Sequence, residues 1–198
     1  MKQFYQKGKP LARWQLRFTG IIVLLALAIN ASVNKSKNLG QGEFKHNSQQ
    51  YYTVIKVVDG DTIDIDKADV ISGKSFTRIR LRGIDTPETK HPTQPVGYFG
   101  PEAAEFTRKT VLNKQIRIVL LENQDNRDKY GRLLAYVYLN DGRMLNKELI
   151  SQGLGYVYPF YSHPLKEEFI DLEKKAKKDK AGLWRNVKPE QLPDWMQN

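Results

Sequence analysis

Thr77-Arg-Ile-Arg-Leu-Arg-Gly-Ile-Asp-Thr-Pro-Glu88 is the stretch on which the reading of this chain turns. Its first half alternates strictly, with Ile79 and Leu81 set against Arg78, Arg80 and Arg82, as a half-buried strand with a basic second face does. The second half ends in Asp85-Thr-Pro-Glu88, where Pro87 fixes one backbone angle and favours a tight turn that sets Asp85 and Glu88 on the same side. Asp85 keeps the odd register of Ile79 and Leu81, so it faces the core from a strand end. A carboxylate aimed inward needs a cation, a set of donors or a metal, because burying it bare is expensive. The alternatives at this point are a fraying strand end or an ordinary pair with an arginine.

On the N-terminal side, Val54-Ile-Lys-Val-Val58 and Asp61-Thr-Ile-Asp-Ile-Asp66 flank Asp59-Gly60, a dipeptide that favours tight hairpin turns. Asp61 shares the odd register of Ile63 and Ile65 and is a second core-facing acid. With Asp85 and Glu88 it gathers three carboxylates around one point. Hard oxygens without histidine or cysteine suit calcium or magnesium, and without an EF-hand spacing such a site must be assembled from distant segments.

On the C-terminal side, Pro101 after Gly100 and the early acid Glu102 start a helix that runs to Leu112. Strands are expected at 116–121 and 133–139, the second closed by the turn Asn140-Asp-Gly142. A short helix from Met144 to Gln152 is stopped by Gly153. A last helix starts at Pro164, carries Leu165, Phe169, Leu172 and Ala176 on one face, and ends near Ala181-Gly182. Its lysines at 174, 175, 177, 178 and 180 read as a solvated face. Five or more strands with three helices make an α+β domain. Between the strands lies a compact basic turn, Asp128-Lys-Tyr-Gly-Arg132. A hard-cation site beside forked guanidiniums suits a phosphodiester, whose oxygens are held bidentately while charge develops on attack. Parity sets Arg80 opposite the core-facing register, so it has to reach the site around the rim of the sheet.

The 198 residues, with 40% hydrophobic and 11% aromatic side chains, are enough for one domain with a real core. Zero cysteines exclude a disulfide scaffold, thiolate zinc sites and thiol chemistry, and His46, His91 and His163 are scattered. The formal charge of +10 points to anionic partners such as nucleic acid or lipid. Residues 1–31 carry five of the bases and no acid, and without them the charge is +5. Lys2, Lys7, Lys9, Arg13 and Arg17 lead into Ile21-Ile-Val-Leu-Leu-Ala-Leu-Ala-Ile29, the pattern of a signal peptide or of an uncleaved N-terminal membrane anchor. The expected organisation is therefore that leader at 1–31, a linker at 32–50, the folded domain at 51–185 and a C-terminal tail at 186–198, with the domain exported and released or tethered at the outer face of the membrane.

Val58-Asp-Gly-Asp-Thr62, Ile84-Asp-Thr-Pro-Glu-Thr-Lys-His-Pro92, Tyr98-Phe-Gly-Pro-Glu-Ala103, Asp128-Lys-Tyr-Gly-Arg132 with Leu134-Ala-Tyr136, and Gly182-Leu-Trp184 follow one another across residues 51–184. In that order they resemble the staphylococcal nuclease, or thermonuclease, family. The resemblance implies a five-stranded OB-fold barrel with three helices, and a monomeric Ca²⁺-dependent nuclease that cleaves DNA and RNA, prefers single strands and leaves 3′-phosphate and 5′-hydroxyl ends. It implies that Asp61 and Asp85 ligate Ca²⁺ through carboxylates and Thr86 through its carbonyl. Glu88 matches the general base for water, and Arg80 and Arg132 the phosphate-binding arginines. Lys129 and Tyr130 match groups beside the nucleotide phosphate, and Tyr156 and Tyr158 match base-stacking positions, with core or groove-wall packing the alternative. The loop Pro92-Thr-Gln-Pro-Val-Gly97 is poorer in lysine than the familiar staphylococcal version. Arg78 and Arg82 lie outside the motifs and read as surface ion pairs, with a phosphate track the alternative. The competing functional reading is a non-catalytic OB-fold module that holds single-stranded nucleic acid. A pure binder has no use for an acid such as Glu88 in a phosphate site.

Overall fold

A computed structural model of the chain describes residues 44–45, 50–89, 95–122 and 124–197. The expected leader or anchor, most of the expected linker, and residues 90–94 of the loop before Gly100 lie outside the described residues. Within the stretch expected as linker, a two-residue strand, β1 (Phe44–Lys45), pairs with Leu120 and Leu121.

The hairpin forms, but its turn falls one residue later than the sequence suggests. Strands β2 (Tyr51–Asp59) and β3 (Thr62–Ile65) pair with Asp59 opposite Thr62, so Gly60 and Asp61 are the loop. Asp61 is thus a turn residue, although it remains buried. All four residues of β3 are buried as well, which departs from simple alternation. The physical reason is a fork: Asp64, 2% exposed, takes Nε and Nη2 of Arg78 from the neighbouring strand at 2.7 and 2.9 Å. Arg78 is therefore the ion-paired arginine that was expected, with a buried partner.

Strand β4 (Thr77–Leu81) pairs antiparallel with β3. A short strand, β5 (Ile84–Asp85), follows the turn at Arg82-Gly83. Helix α1 (Gly100–Val111) opens with Pro101 and Glu102 and closes with Arg108 and Lys109, which favours both ends of its dipole. Strand β6 (Gln115–Leu121) pairs antiparallel with β2 and with β7 (Leu133–Leu139), and β7 pairs in parallel with β4. The ring β2-β3-β4-β7-β6 closes on itself as a five-stranded barrel, which leaves none of these strands as a free sheet edge. Helix α2 (Leu145–Ser151), strand β8 (Tyr156–Val157), paired with β5, and helix α3 (Lys166–Lys178) complete the domain.

Val54, Ile63, Ile79, Ile116, Ala135 and Val137 fill the barrel, and Leu145, Leu149 and Phe169 are fully buried in the same core. The expected tail is folded back in short 3-10 turns. Trp195, from the last of them, packs its ring on Tyr156, Tyr158 and Phe160.

Candidate active site

The barrel end at which β3, β4 and β5 meet collects the expected acids. Gly60 lets the hairpin turn approach this end, since a Cβ there would lie 2.8 Å from Thr86 Oγ1 and 3.0 Å from Ala103 Cβ. Thr107 of α1 clamps the turn by donating to the Gly60 carbonyl at 2.6 Å. Asp61 is then held from all sides. Its carbonyl accepts the Leu81 N–H, while its carboxylate accepts the Thr62 hydroxyl at 2.9 Å and the Thr86 N–H at 2.9 Å.

Arg80 does reach this site. Its Nη1 lies 2.7 Å from Asp61 Oδ2, its Nη2 lies 2.5 Å from Asp85 Oδ1, and Nη1 also donates to the Ile84 carbonyl at 2.9 Å. The register explains the reach: Arg80 stands opposite Thr62, one residue from the turn that carries Asp61. One guanidinium therefore bridges two carboxylates from separate segments.

Two neighbours of this pair were not singled out by the sequence reading. Asp59 accepts the Gly60 N–H and the Thr89 hydroxyl, both at 2.8 Å, and its side chain hydrogen-bonds Glu88. Glu88 also accepts the Thr89 N–H at 3.0 Å. Burial, then the charge of Asp61, pushes the Asp59 carboxyl up to about 7. The Glu88 contact raises Asp59 as well, so the two side chains form a hydrogen-bonded pair in which a protonated Asp59 donates to Glu88. The signal was present in the quoted Val58-Asp-Gly-Asp-Thr62, where two acids straddle a glycine. The second neighbour is Trp195, whose hydrogen bond to Asp85 pulls that carboxyl down. No local pattern reveals it, because the contact spans the domain.

Burial raises Asp85 to about 6 despite the charge of Arg80. The stability-versus-pH consequence has a definite sign. A carboxyl raised above its ordinary value of 3.8 binds its proton more tightly folded than unfolded, so its contribution is full below about pH 4 and is lost as pH rises through about 6 and about 7. The metal-free protein is expected to lose stability from these groups between about pH 4 and about pH 7. Asp59→Asn should flatten that part of the curve, as read from denaturation midpoints in chelator. An unchanged curve would overturn the assignment.

Beside the acids opens a cleft of about 460 Å³ lined by Arg80, Lys129, Tyr130, Arg132, Tyr158 and Tyr161, among others. The Asp128-Lys-Tyr-Gly-Arg132 turn is organised by Asp128, which accepts the N–H groups of Tyr130 and Arg132 and, at 2.6 Å, Nε of Arg132. Arg132 stacks over Tyr130 at 5.3 Å and Lys129 over the same ring at 5.1 Å. Asp128 thus holds Arg132 by Nε, and its terminal Nη groups remain as donors.

Tyr156 is placed differently from the base-stacking expectation. It is 1% exposed, with its ring edge-on to Trp184 and Trp195, so it has no open face for a base and belongs to the core. Tyr158 lines the cleft. Arg82 is not a surface ion pair: it is 6% exposed and has no carboxylate within 4 Å among the described residues.

The donor chemistry fits a hard divalent cation. Asp59, Asp61, Asp85 and Glu88 share this end of the barrel with the single guanidinium of Arg80. Asp61 raises both Asp59 and Asp85, Glu88 raises Asp85 further, and Thr86 Oγ1 is buried without a partner. Such a surplus of oxygen and negative charge is what calcium or magnesium relieves. Among the described residues, no three carboxylate or imidazole side chains already form a metal cage, and Arg80 stands between Asp61 and Asp85. Asp61, Asp85 and Thr86 are the groups that could hold such an ion.

A closed five-stranded barrel with acids, a bridging arginine and a basic cleft at one end defines an OB-fold protein with a charged site at that end. The family model for staphylococcal nuclease homologues matches residues 78–186. The chain is 35% identical over 174 residues to a thermonuclease of Staphylococcus hyicus, covering 85% of this chain and 97% of the relative. It is 38% identical over 172 residues to a thermonuclease of Staphylococcus intermedius, covering 84% and 96%, and 37% identical over 134 residues to the endonuclease YncB of Bacillus subtilis, covering 67% and 60%. This chain belongs to the staphylococcal nuclease family.

Proposed function

We propose that this protein is an extracytoplasmic, calcium-dependent nuclease that hydrolyses phosphodiester bonds of DNA and RNA. The observation that carries the reading is the bridge of Arg80 between Asp61 and Asp85, set next to the Asp59–Glu88 pair and opening on the cleft of Arg132. The nuclease names of the relatives support the reaction class. The basic N-terminal residues and the apolar run at 21–29 support export.

Arg132, held through Nε by Asp128, offers its planar fork to the phosphoryl oxygens, and Arg80 adds a second guanidinium at the acid end of the cleft. Glu88 accepts a proton from the attacking water. The water oxygen bonds to phosphorus, the bond to the 5′ oxygen breaks, and that oxygen takes up a proton from solvent, leaving a 3′-phosphate and a 5′-hydroxyl. Calcium, which Asp61, Asp85 and Thr86 would hold, would supply Lewis-acid polarisation when bound. The arginines stabilise the charge that builds on the equatorial oxygens. The competing binding-module reading leaves Glu88 and its Asp59 partner without a task.

Chelation is expected to abolish cleavage of single-stranded DNA by purified protein, calcium to restore it, and end-labelling to find 3′-phosphates. Binding of the same strand without cleavage at any calcium concentration would replace the nuclease with the binding module.

A further inference from the structure

The lining of the cleft contains a charge that the proposed reaction does not use. Arg82 lines the cleft and is 6% exposed. Its Nη2 donates to Asn126 Oδ1 at 2.7 Å and to the Leu134 carbonyl at 3.4 Å, and its Nε is buried without a partner. The other cleft arginines each have a carboxylate: Arg80 has Asp61 and Asp85, Arg127 has Asp69, and Arg132 has Asp128. Arg82 has none within 4 Å among the described residues.

A guanidinium stays protonated under any ordinary condition, so burial cannot neutralise it. A buried cation whose charge is met only through space by Asp125, with no carboxylate in ion-pair contact among the described residues, is costly, and its natural complement is an anion brought in from outside. The surroundings suit one. His163, also on the cleft wall and 6% exposed, is bound through Nδ1 to the Tyr136 hydroxyl at 2.7 Å, and burial pushes it down to about 4. It is neutral at physiological pH and leaves Arg82 as the fixed charge. Asn126, which holds Arg82, is itself anchored to both backbone groups of Leu121. The guanidinium therefore has a fixed orientation, as a recognition group requires.

We propose that Arg82 forms a second phosphate subsite, binding a phosphate of the strand other than the one cleaved. This rests on the nuclease reading of the adjacent site and deepens it, because it makes a polynucleotide rather than a single diester the preferred substrate. Phosphates that flank the scissile one along a strand converge on one cleft, with Arg80 and Arg132 taking the reacting group and Arg82 a neighbour.

The test measures binding of a 12-residue single-stranded oligonucleotide in chelator as a function of salt, for wild type, Arg82→Gln and Arg82→Lys. One lost phosphate contact lowers the slope of log affinity against log salt by about 0.7. Arg82→Gln, which keeps a donor for Asn126, is expected to show that drop with roughly tenfold weaker binding at moderate salt, and Arg82→Lys is expected to keep the wild-type slope. An unchanged slope in Arg82→Gln overturns the proposal. If the Gln variant does not fold, the Arg82 Nε resonance of the wild type decides instead: it must shift on addition of the 12-mer, and a silent resonance overturns the subsite.

An internal phosphodiester and a terminal phosphate present the same chemistry. Oligonucleotides with and without a terminal phosphate separate them: equal slope changes support the internal phosphate, and a change confined to the phosphorylated strand overturns it. Calcium-dependent cleavage of a nucleoside p-nitrophenyl phosphodiester, which has a single diester, tests the nuclease reading separately. A wild type that cleaves neither substrate while the binding slope still falls in Arg82→Gln would retire the nuclease and keep the subsite.

Discussion

Replacing Glu88 with Gln is expected to slow single-turnover cleavage at saturating calcium by about 10²- to 10⁴-fold, the range general bases commonly contribute. The substitution keeps the shape and the acceptor that receives the Thr89 N–H. It removes the charge, and with it the ability to take a proton from water. The Asp59 hydrogen bond changes meaning as well. Asp59, pushed up to about 7, donates to a carboxylate in the wild type. Opposite an amide it loses that charged acceptor, so its pKa should fall and the pH dependence of metal-free stability should weaken. Fold and binding of an uncleavable strand should persist. The decisive pair of measurements is single-turnover rate and strand affinity on the same preparation. A rate near wild type would remove Glu88 from the role of base, even if the protein remains a nuclease.

Arg132→Lys is expected to cut turnover by about 10²- to 10³-fold, as loss of a preorganised donor commonly does. The charge survives this change, so a simple electrostatic account predicts little effect. Geometry predicts a large one. Asp128 takes Nε at 2.6 Å and the ring of Tyr130 supports the guanidinium plane at 5.3 Å, which fixes the guanidinium on the cleft wall. Lysine has a single nitrogen to divide between Asp128 and the phosphate, and no plane to rest on the tyrosine. The loss should fall mainly on kcat, because the fork matters most where charge builds on the phosphoryl oxygens. A variant that loses affinity for the strand while turning over normally would show Arg132 to be a docking residue.

Much of this architecture is legible in local order. Alternation in Thr77–Leu81, the proline-led start of α1 and the 165, 169, 172, 176 stripe of α3 each follow from the period of a strand or helix meeting one apolar face, and each element forms close to where that period places it. The ordered motifs also carried the residues of the site by type: acids at 61, 85 and 88, and arginines at 80 and 132. What parity could not carry is direction once an element ends. Asp61 sits in a turn, Arg80 reaches from the second face of its strand, and Asp64 is buried on what alternation makes an outer position, because a fork with Arg78 compensates it.

Tertiary structure alone decided the rest. Tyr156 and Tyr158 differ by two positions and read alike in sequence, yet the first is sealed beneath Trp184 and Trp195 and the second faces the cleft. Arg78, Arg80 and Arg82 are equivalent in the alternating pattern, but one is paired with Asp64, one bridges two site acids, and one is buried with no carboxylate within 4 Å among the described residues. The coupling of Asp59 to Glu88 and the hydrogen bond from Trp195 to Asp85 join residues about 30 and about 110 positions apart. Residue type and period are properties of neighbours along the chain. Burial, counterion and pKa are set by whatever barrel closure brings alongside, so they exist only once β4 has met β7 and β6 has returned to β2.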